Sequence, residues 1–142
     1  MDGVFINSEK IITTNGGKVL HAVKVNDIGF SKFGEAYFST IESKNIRAWK
    51  CHTKMTLNIV VPIGKIKFVL YDERRQSKTY GEFLEVIISR ENYQRLTVPP
   101  MIWMGFQGVS KDTSILLNVA SIVHDISEAM HKDISSINYI WN

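Results

Sequence analysis

Cysteine is almost missing from this sequence: Cys51 is the only one. An intramolecular disulfide is therefore impossible, and nothing points to an oxidising compartment. Long hydrophobic runs are missing too. The longest, "LNIVVPIG", is interrupted by Pro62 and falls far short of the about 20 apolar residues that cross a bilayer as a helix. The opening "MDGVFINSEKIITT" lacks the basic-then-apolar pattern of a secretory signal. There is no run of Lys and Arg: 17 basic residues are scattered among 14 acidic ones, giving a net charge of +3 and a pI near 9.0. That balance suits a small anionic ligand and is well short of a nucleic-acid footprint. No Gly-rich phosphate loop and no Ser nucleophile elbow occurs. The expectation is a soluble, cytoplasmic protein that binds neither membrane nor nucleic acid.

What is present reads as strands. The chain of 142 residues is 44% hydrophobic and 22% charged, ordinary for a globular protein, and is most simply one domain over residues 1–142. "KVLHAVKV", "EAYFSTIE", "IRAWKCH", "TLNIVV", "KIKFVLYD", "FLEVIIS", "RLTVP" and "SILLNVAS" are short and rich in β-branched and aromatic residues. Gly, Pro, Asn or Asp separates them. "VPIGKI" carries a hairpin pattern around Gly64, and "ENYQ" and "SKDT" have turn composition. Only the tail, around "DISEAMHKDISSI", has the makings of a helix, with Asp125 or Ser127 as cap. Short strands at even spacing indicate an all-β sandwich or barrel, and a double-sheet jelly roll fits the length and strand count. Runs such as "NIVV" and "EVIIS" are apolar on both faces, which predicts strands covered twice, by the core and by another sheet or a second copy in a homodimer.

The chemistry concentrates in "IRAWKCHTKMTLN". Lys50, His52 and Lys54 alternate, so in an extended chain they share one face. That face is either solvated or the wall of a pocket for an anion, and periodicity leaves the choice open. Cys51 points the other way and is discounted as a nucleophile. His124 can serve as a general acid or base, or be structural. Trp103, Met104 and Phe106, after Pro99 and Pro100, either line a pocket that stacks a base or sugar or belong to the core. A metal site needs several His or carboxylate ligands at short spacing. His52 stands alone beside Lys50, and His21, His124 and His131 are remote in sequence, so none is expected.

Taken together, "IRAWKCH", "VPIGKIKFVLYDER", "TYGEFLEVIISRENYQRLTVPPMIWMGFQG" and "LLNVASIVHD" resemble the dTDP-4-dehydrorhamnose 3,5-epimerase family and the related sugar-nucleotide ketoisomerases of the cupin superfamily. The likeness runs from "NDIGFSKFGEAYFSTI" to "INYIWN". It implies a cupin jelly-roll barrel with a short helical C-terminal segment, acting as a dimer on a nucleotide-linked 4-keto sugar without metal or organic cofactor. In that family a His in the motif matching "IRAWKCH" is the base and a Tyr on a later strand the acid. Arg47 takes the place of the family's motif Arg and, by its planar fork of donors, suits a diphosphate. Phe33 and Glu35 take the places of its Phe and Glu. Asn58 and Trp103 join them as expected substrate-binding residues. The base position holds Lys50, His52 matches the second His of relatives with a His-x-His pair, and the acid's position falls near His124. Met104 replaces the His that usually follows the two prolines, and the family's Arg near Ile28 and Gly29 has no counterpart.

These replacements leave two readings. In the first, Lys50, His52 and His124 carry proton transfer in an epimerase or isomerase of surface-polysaccharide or O-antigen synthesis. Lys50 is then either a base of lowered pKa or a cation stabilising the enolate while a His moves the proton. In the second, a sugar-nucleotide-binding protein keeps the barrel and has lost the chemistry.

Overall fold

The computed structural model describes residues 1–142. Its strands are β1 (Phe5–Ser8), β2 (Ile11–Thr14), β3 (Gly17–Leu20), β4 (Glu35–Ile41), β5 (Ile46–His52) and β6 (Leu57–Ile63). They continue as β7 (Lys65–Asp72), β8 (Phe83–Ser89), β9 (Gln94–Val98), β10 (Ile102–Gly108), β11 (Ser114–Ala120) and β12 (Ala129–His131). Two five-stranded antiparallel sheets result, in the orders β1-β9-β6-β11-β4 and β12-β5-β10-β7-β8, with β2 and β3 apart as a hairpin. This is the all-β double-sheet roll that the strand spacing predicts. No helix is long and apolar enough to cross a membrane.

Alternation dictates the layers. Leu57, Ile59 and Val61 of β6 and Ile66, Phe68 and Leu70 of β7 point between the sheets, where they join Ile88, Leu96 and Ile102 in the main core. The opposite faces of the inner strands are covered as well, as their double-sided apolar runs require. The chain's own segments do part of this covering. Outside the second sheet, Trp49 and Cys51 of β5, Val69 of β7 and Trp103 of β10 meet Ile137, Tyr139 and Trp141 from the tail. Trp49 Nε1 donates to the carbonyl of Ile134 at 3.2 Å, and the Trp49 and Trp141 rings lie 5.4 Å apart. Outside the first sheet, residues 21–29 are tied down by Tyr93, whose hydroxyl donates to His21 O, by Arg95, which donates to Ile28 O, and by Asn58, which donates to Gly29 O.

Two local expectations are corrected. "VPIGKI" is no hairpin: β6 and β7 belong to different sheets, and Gly64, at φ +82°, turns the chain from one to the other. A Cβ at Gly64 would come within 2.2 Å of Ser114 Oγ, so the crossing fits only glycine. The tail is not one helix but two 3₁₀ turns, Ile126–Glu128 and Ile134–Ser136, capped by Asp125 and Asp133. Between them Ala129–His131 forms β12 on the open edge of β5. A helix this short is marginal by itself, whereas the sheet edge offers a ready ladder of donors and acceptors.

Candidate active site

The two sheets part toward β4 and β5 and enclose a cavity of about 350 Å³. Its walls come from β4 (Tyr37, Ser39), β11 (Leu116, Asn118) and β6 (Leu57, Ile59) on one side. Facing them are β5 (Arg47, Lys50, His52) and β10 (Met104, Phe106), with His131 and Lys132 beyond. The cationic and imidazole groups belong to β5, to β12 and to Lys132 just after it.

The wall of β5 owes its composition to a bulge. Met104 pairs with Lys50 and Phe106 with Arg47, so Ala48 and Trp49 together face the single residue Gly105. The extra residue resets the alternation: Arg47, three residues before Lys50, lines the same cavity, while Trp49 and Cys51 face the tail. Gly105 permits the arrangement, since a Cβ there would lie 2.7 Å from Ala48 Cβ and 2.9 Å from the Trp141 ring. Arg47 reaches across the mouth, donating to Ser39 Oγ of the facing sheet at 3.0 Å with its guanidinium 5.4 Å from the Phe106 ring centre.

His52 is buried in the cavity wall, with 8% of its surface exposed. Its Nδ1 is hydrogen-bonded to Glu128 Oε1. The other carboxylate oxygen, Oε2, accepts from the backbone N–H of Thr53 (3.1 Å), Lys54 (3.0 Å) and Met55 (3.2 Å). Glu128 thus fixes both the imidazole and the turn that ends β5. With Nδ1 engaged, Nε2 is the nitrogen left for a ligand. Burial pushes the His52 pKa below its ordinary value; the bond from Glu128 opposes this, and the charges of Lys50 and His131 add to the lowering. Burial also works to raise the Glu128 carboxyl, but the bonds from His52 and from the Lys54 and Met55 amides outweigh it and hold the pKa down. The dyad is a neutral imidazole poised on an ionised carboxylate near neutral pH. Across the cavity, Asn118 Nδ2 donates to the Tyr37 hydroxyl at 3.0 Å.

Of the residues the sequence singled out, Arg47, Lys50 and His52 come together here. Lys54 does not join them: β5 ends at His52, and the turn carries Lys54 into solvent, against its expected place on the inner face. His124 is exposed beyond the end of β11 and does not line the cavity. Asn58 lies on the outer side of its sheet, accepting from Arg95 (2.8 Å) and Thr97 (2.7 Å). Trp103 packs outside the second sheet and donates to Glu73 Oε2 at 2.8 Å. Phe33 is exposed and Glu35 half-buried at the start of β4, both off the cavity. Cys51 is buried away from it, with its thiol pushed up to about 11 by burial.

Comparison with known proteins points one way. The protein family described as dTDP-4-dehydrorhamnose 3,5-epimerase matches residues 7–141. The chain is 30% identical over 94 residues to the probable low-salt glycan biosynthesis epimerase Agl13 of Haloferax volcanii, covering 66% of this chain and 60% of that relative. The match thus spans less than two thirds of the relative's length. The crystal structure of a dTDP sugar isomerase from Desulfovibrio desulfuricans superposes with a TM-score of 0.94 at 35% identity, over 99% of this chain and 91% of that one. A Legionella pneumophila dTDP-6-deoxy-D-glucose-3,5-epimerase, solved with dTDP-4-keto-L-rhamnose, shares the fold at a TM-score of 0.83 and 19% identity, over 94% of this chain and 74% of its own.

Proposed function

This chain belongs to the dTDP-4-dehydrorhamnose 3,5-epimerase family, a family of sugar-nucleotide biosynthesis, and on that premise we propose that it moves a proton on the carbon beside the ketone of a nucleoside-diphosphate 4-keto-deoxy sugar. The observation that carries this reading is the anchored imidazole of His52 beside Lys50 in the cavity. His52 takes the proton at Nε2. Lys50, as an ammonium, stabilises the enolate oxygen, the charge that develops as the C–H bond breaks. Arg47, at the mouth, receives the diphosphate. Lys50 therefore acts as the cation and His52 as the base, and His124, in solvent, has no part in the transfer. The ketone acidifies the adjacent carbon and Lys50 supplies the positive charge, so the reaction asks for no metal or organic cofactor.

The setting we propose is the cytoplasmic synthesis of surface-polysaccharide or O-antigen sugars, a placement supported by the glycan biosynthesis named for the Haloferax relative. We also propose a homodimer. Phe38 on the outer face of β4 is 69% exposed, and Ile115, Leu117 and Val119 beside it on β11 are only partly covered, an apolar stripe that a second copy would bury. Light scattering on the eluted protein should give twice the 16.2 kDa chain mass; a monomer at micromolar concentration would rule the dimer out.

The test of function is proton NMR of dTDP-4-keto-6-deoxyglucose, and of its GDP-mannose-derived counterpart, in deuterium oxide with the protein. Protein-dependent loss of the ring-proton signal beside the ketone is the expected result. Bound nucleotide sugar without any exchange would instead establish a binding protein, the reading favoured by Lys50 standing at the family's base position.

A further inference from the structure

Resting on the roles given above to Arg47, Lys50 and His52, we infer that Trp141 is a positioning residue: pressed on the outer face of the β5 bulge, it fixes Arg47 relative to Lys50 and so sets how far the diphosphate lies from the base. The inference starts from a weak point in the strand. A bulge leaves one residue outside the ladder, and a slip of one residue turns the side chains beyond it to the opposite face. In β5 the bulge falls between Arg47 and Lys50. The group at the mouth and the groups at the sugar therefore keep their spacing only while Ala48 and Trp49 stay in place.

The tail holds them from outside. Trp49 N–H donates to Lys132 O, and Trp49 O accepts from Lys132 N–H, each at 3.1 Å. Trp141 adds a contact to both strands at once. Its ring lies 5.4 Å from that of Trp49 on β5. On β10, its Cζ2 and Cη2 would stand 2.9 and 3.0 Å from a Cβ on Gly105, the residue that faces the bulge. The indole thus fills the place of the side chain that Gly105 lacks and presses the bulged residues against their partner strand. Its own seat is fixed. Lys67, 8% exposed, has its Nζ 5.5 Å from the centres of both the Tyr139 and Trp141 rings. Gln107 Nε2 donates to the carbonyl of Asn142, the next residue, at 2.8 Å. Trp141 Nε1 is buried without a partner, which is costly. Tryptophan serves here by the reach of its six-membered ring and not by its donor.

The test is a double-mutant cycle read as deuterium wash-in beside the ketone of dTDP-4-keto-6-deoxyglucose, with dTDP affinity measured by calorimetry on the same proteins. Trp141→Ala should slow wash-in by about 10- to 10²-fold, the cost of a misplacement on the order of 1 Å. Its dTDP affinity should stay within a few-fold of wild type, because the long Arg47 side chain follows the diphosphate. In an Arg47→Ala background the anchor is already gone, so the same substitution should slow wash-in only a few-fold further. Trp141→Phe keeps a ring against Trp49 but ends short of Gly105. It should fall between wild type and Trp141→Ala, and it carries the test if melting shows that the alanine variant does not fold. An equal fall in both backgrounds would mean a structural role and overturn the assignment, as would wash-in unchanged by either substitution at Trp141. Wild-type protein that binds dTDP but shows no wash-in would overturn the keto-sugar reading and this one with it.

Discussion

Replacing His52 by asparagine should lower kcat/KM on the keto-sugar nucleotide by about 10²–10⁴-fold, the contribution of a positioned general base. The pH dependence adds a second readout. In the proposed mechanism the base is the neutral imidazole, and its pKa lies below the ordinary 6.5 chiefly through burial, with Glu128 opposing and Lys50 and His131 reinforcing the shift. The wild-type rate should therefore hold through neutral pH and fall only below that value, as the ring gains its proton. Lys50→Gln removes a charge that pushes the pKa down, so its acid limb should move to higher pH while its rate falls. Measurement of kcat/KM against pH on the three proteins decides the matter. An unchanged acid limb in the residual activity of His52→Asn would assign the base to another group.

Replacing Glu128 by alanine should cost about 3 kcal/mol of stability, since it leaves the amides of Thr53, Lys54 and Met55 without their acceptor. That corresponds to a fall of roughly 10 °C in melting temperature. Glu128→Gln separates stability from chemistry. Its amide oxygen still accepts from the three backbone groups, so melting should change far less. Its NH₂ then faces His52 Nδ1 and forces the ring proton onto Nε2, the tautomer that cannot act as base toward the cavity. Turnover should drop by at least about 10²-fold, as when the carboxylate behind a catalytic imidazole is made an amide. The acid side of the stability curve follows from the same dyad. Both groups have folded pKa values below their ordinary 6.5 and 4.5, so the unfolded chain takes up each proton first as pH falls. Stability should decline from just below 6.5 downward, a second decline beginning near 4.5, and each stops once the folded pKa is passed. In Glu128→Gln, urea melts across that range should lose the decline that begins near 4.5, while the one beginning near 6.5 deepens, because the ring loses the charge that opposes its lowered pKa. An identical profile would place the acid sensitivity elsewhere, in groups such as Asp72, fully buried against Arg74, Ser77 and Thr79.

The strands were legible because Val, Ile and the aromatics recur between Gly, Pro and polar turns, and the pairing of Lys50 with His52 followed from alternation alone. Alternation failed wherever the strand itself was interrupted. The bulge at Ala48 and Trp49 brought in Arg47, which strict parity excludes, and the end of β5 at His52 released Lys54. Parity names two faces without saying which is inside, so Asn58 and Trp103 were assigned to the cavity although each lies on the outer face of its sheet. Glu128 was missed because its meaning depends on β12 docking against β5, 76 residues away from His52 in sequence. Tyr37 was passed over for a related reason: "EAYFSTIE" alternates Tyr37 with Phe38, and only the placement of β4 beside β11 shows that Tyr37 is the inner one. Nothing in the sequence marks an edge strand as a wall of the cavity.

The strand order has a consequence for how the protein comes off the ribosome. Apart from β2 with β3 and β7 with β8, no strand pairs with its neighbour in sequence, and such non-local closure is slow. The imidazole at residue 52 is synthesised long before the carboxylate at 128 that orients it, and β5 waits with a bare edge until residues 129–131 arrive. A chain arrested before that point is not a weaker version of the protein. It has an unanchored His52 and lacks His131 and Lys132, so the cavity is not assembled. The cavity thereby depends on a late event in synthesis, being assembled only in chains whose β12 has reached the edge of β5.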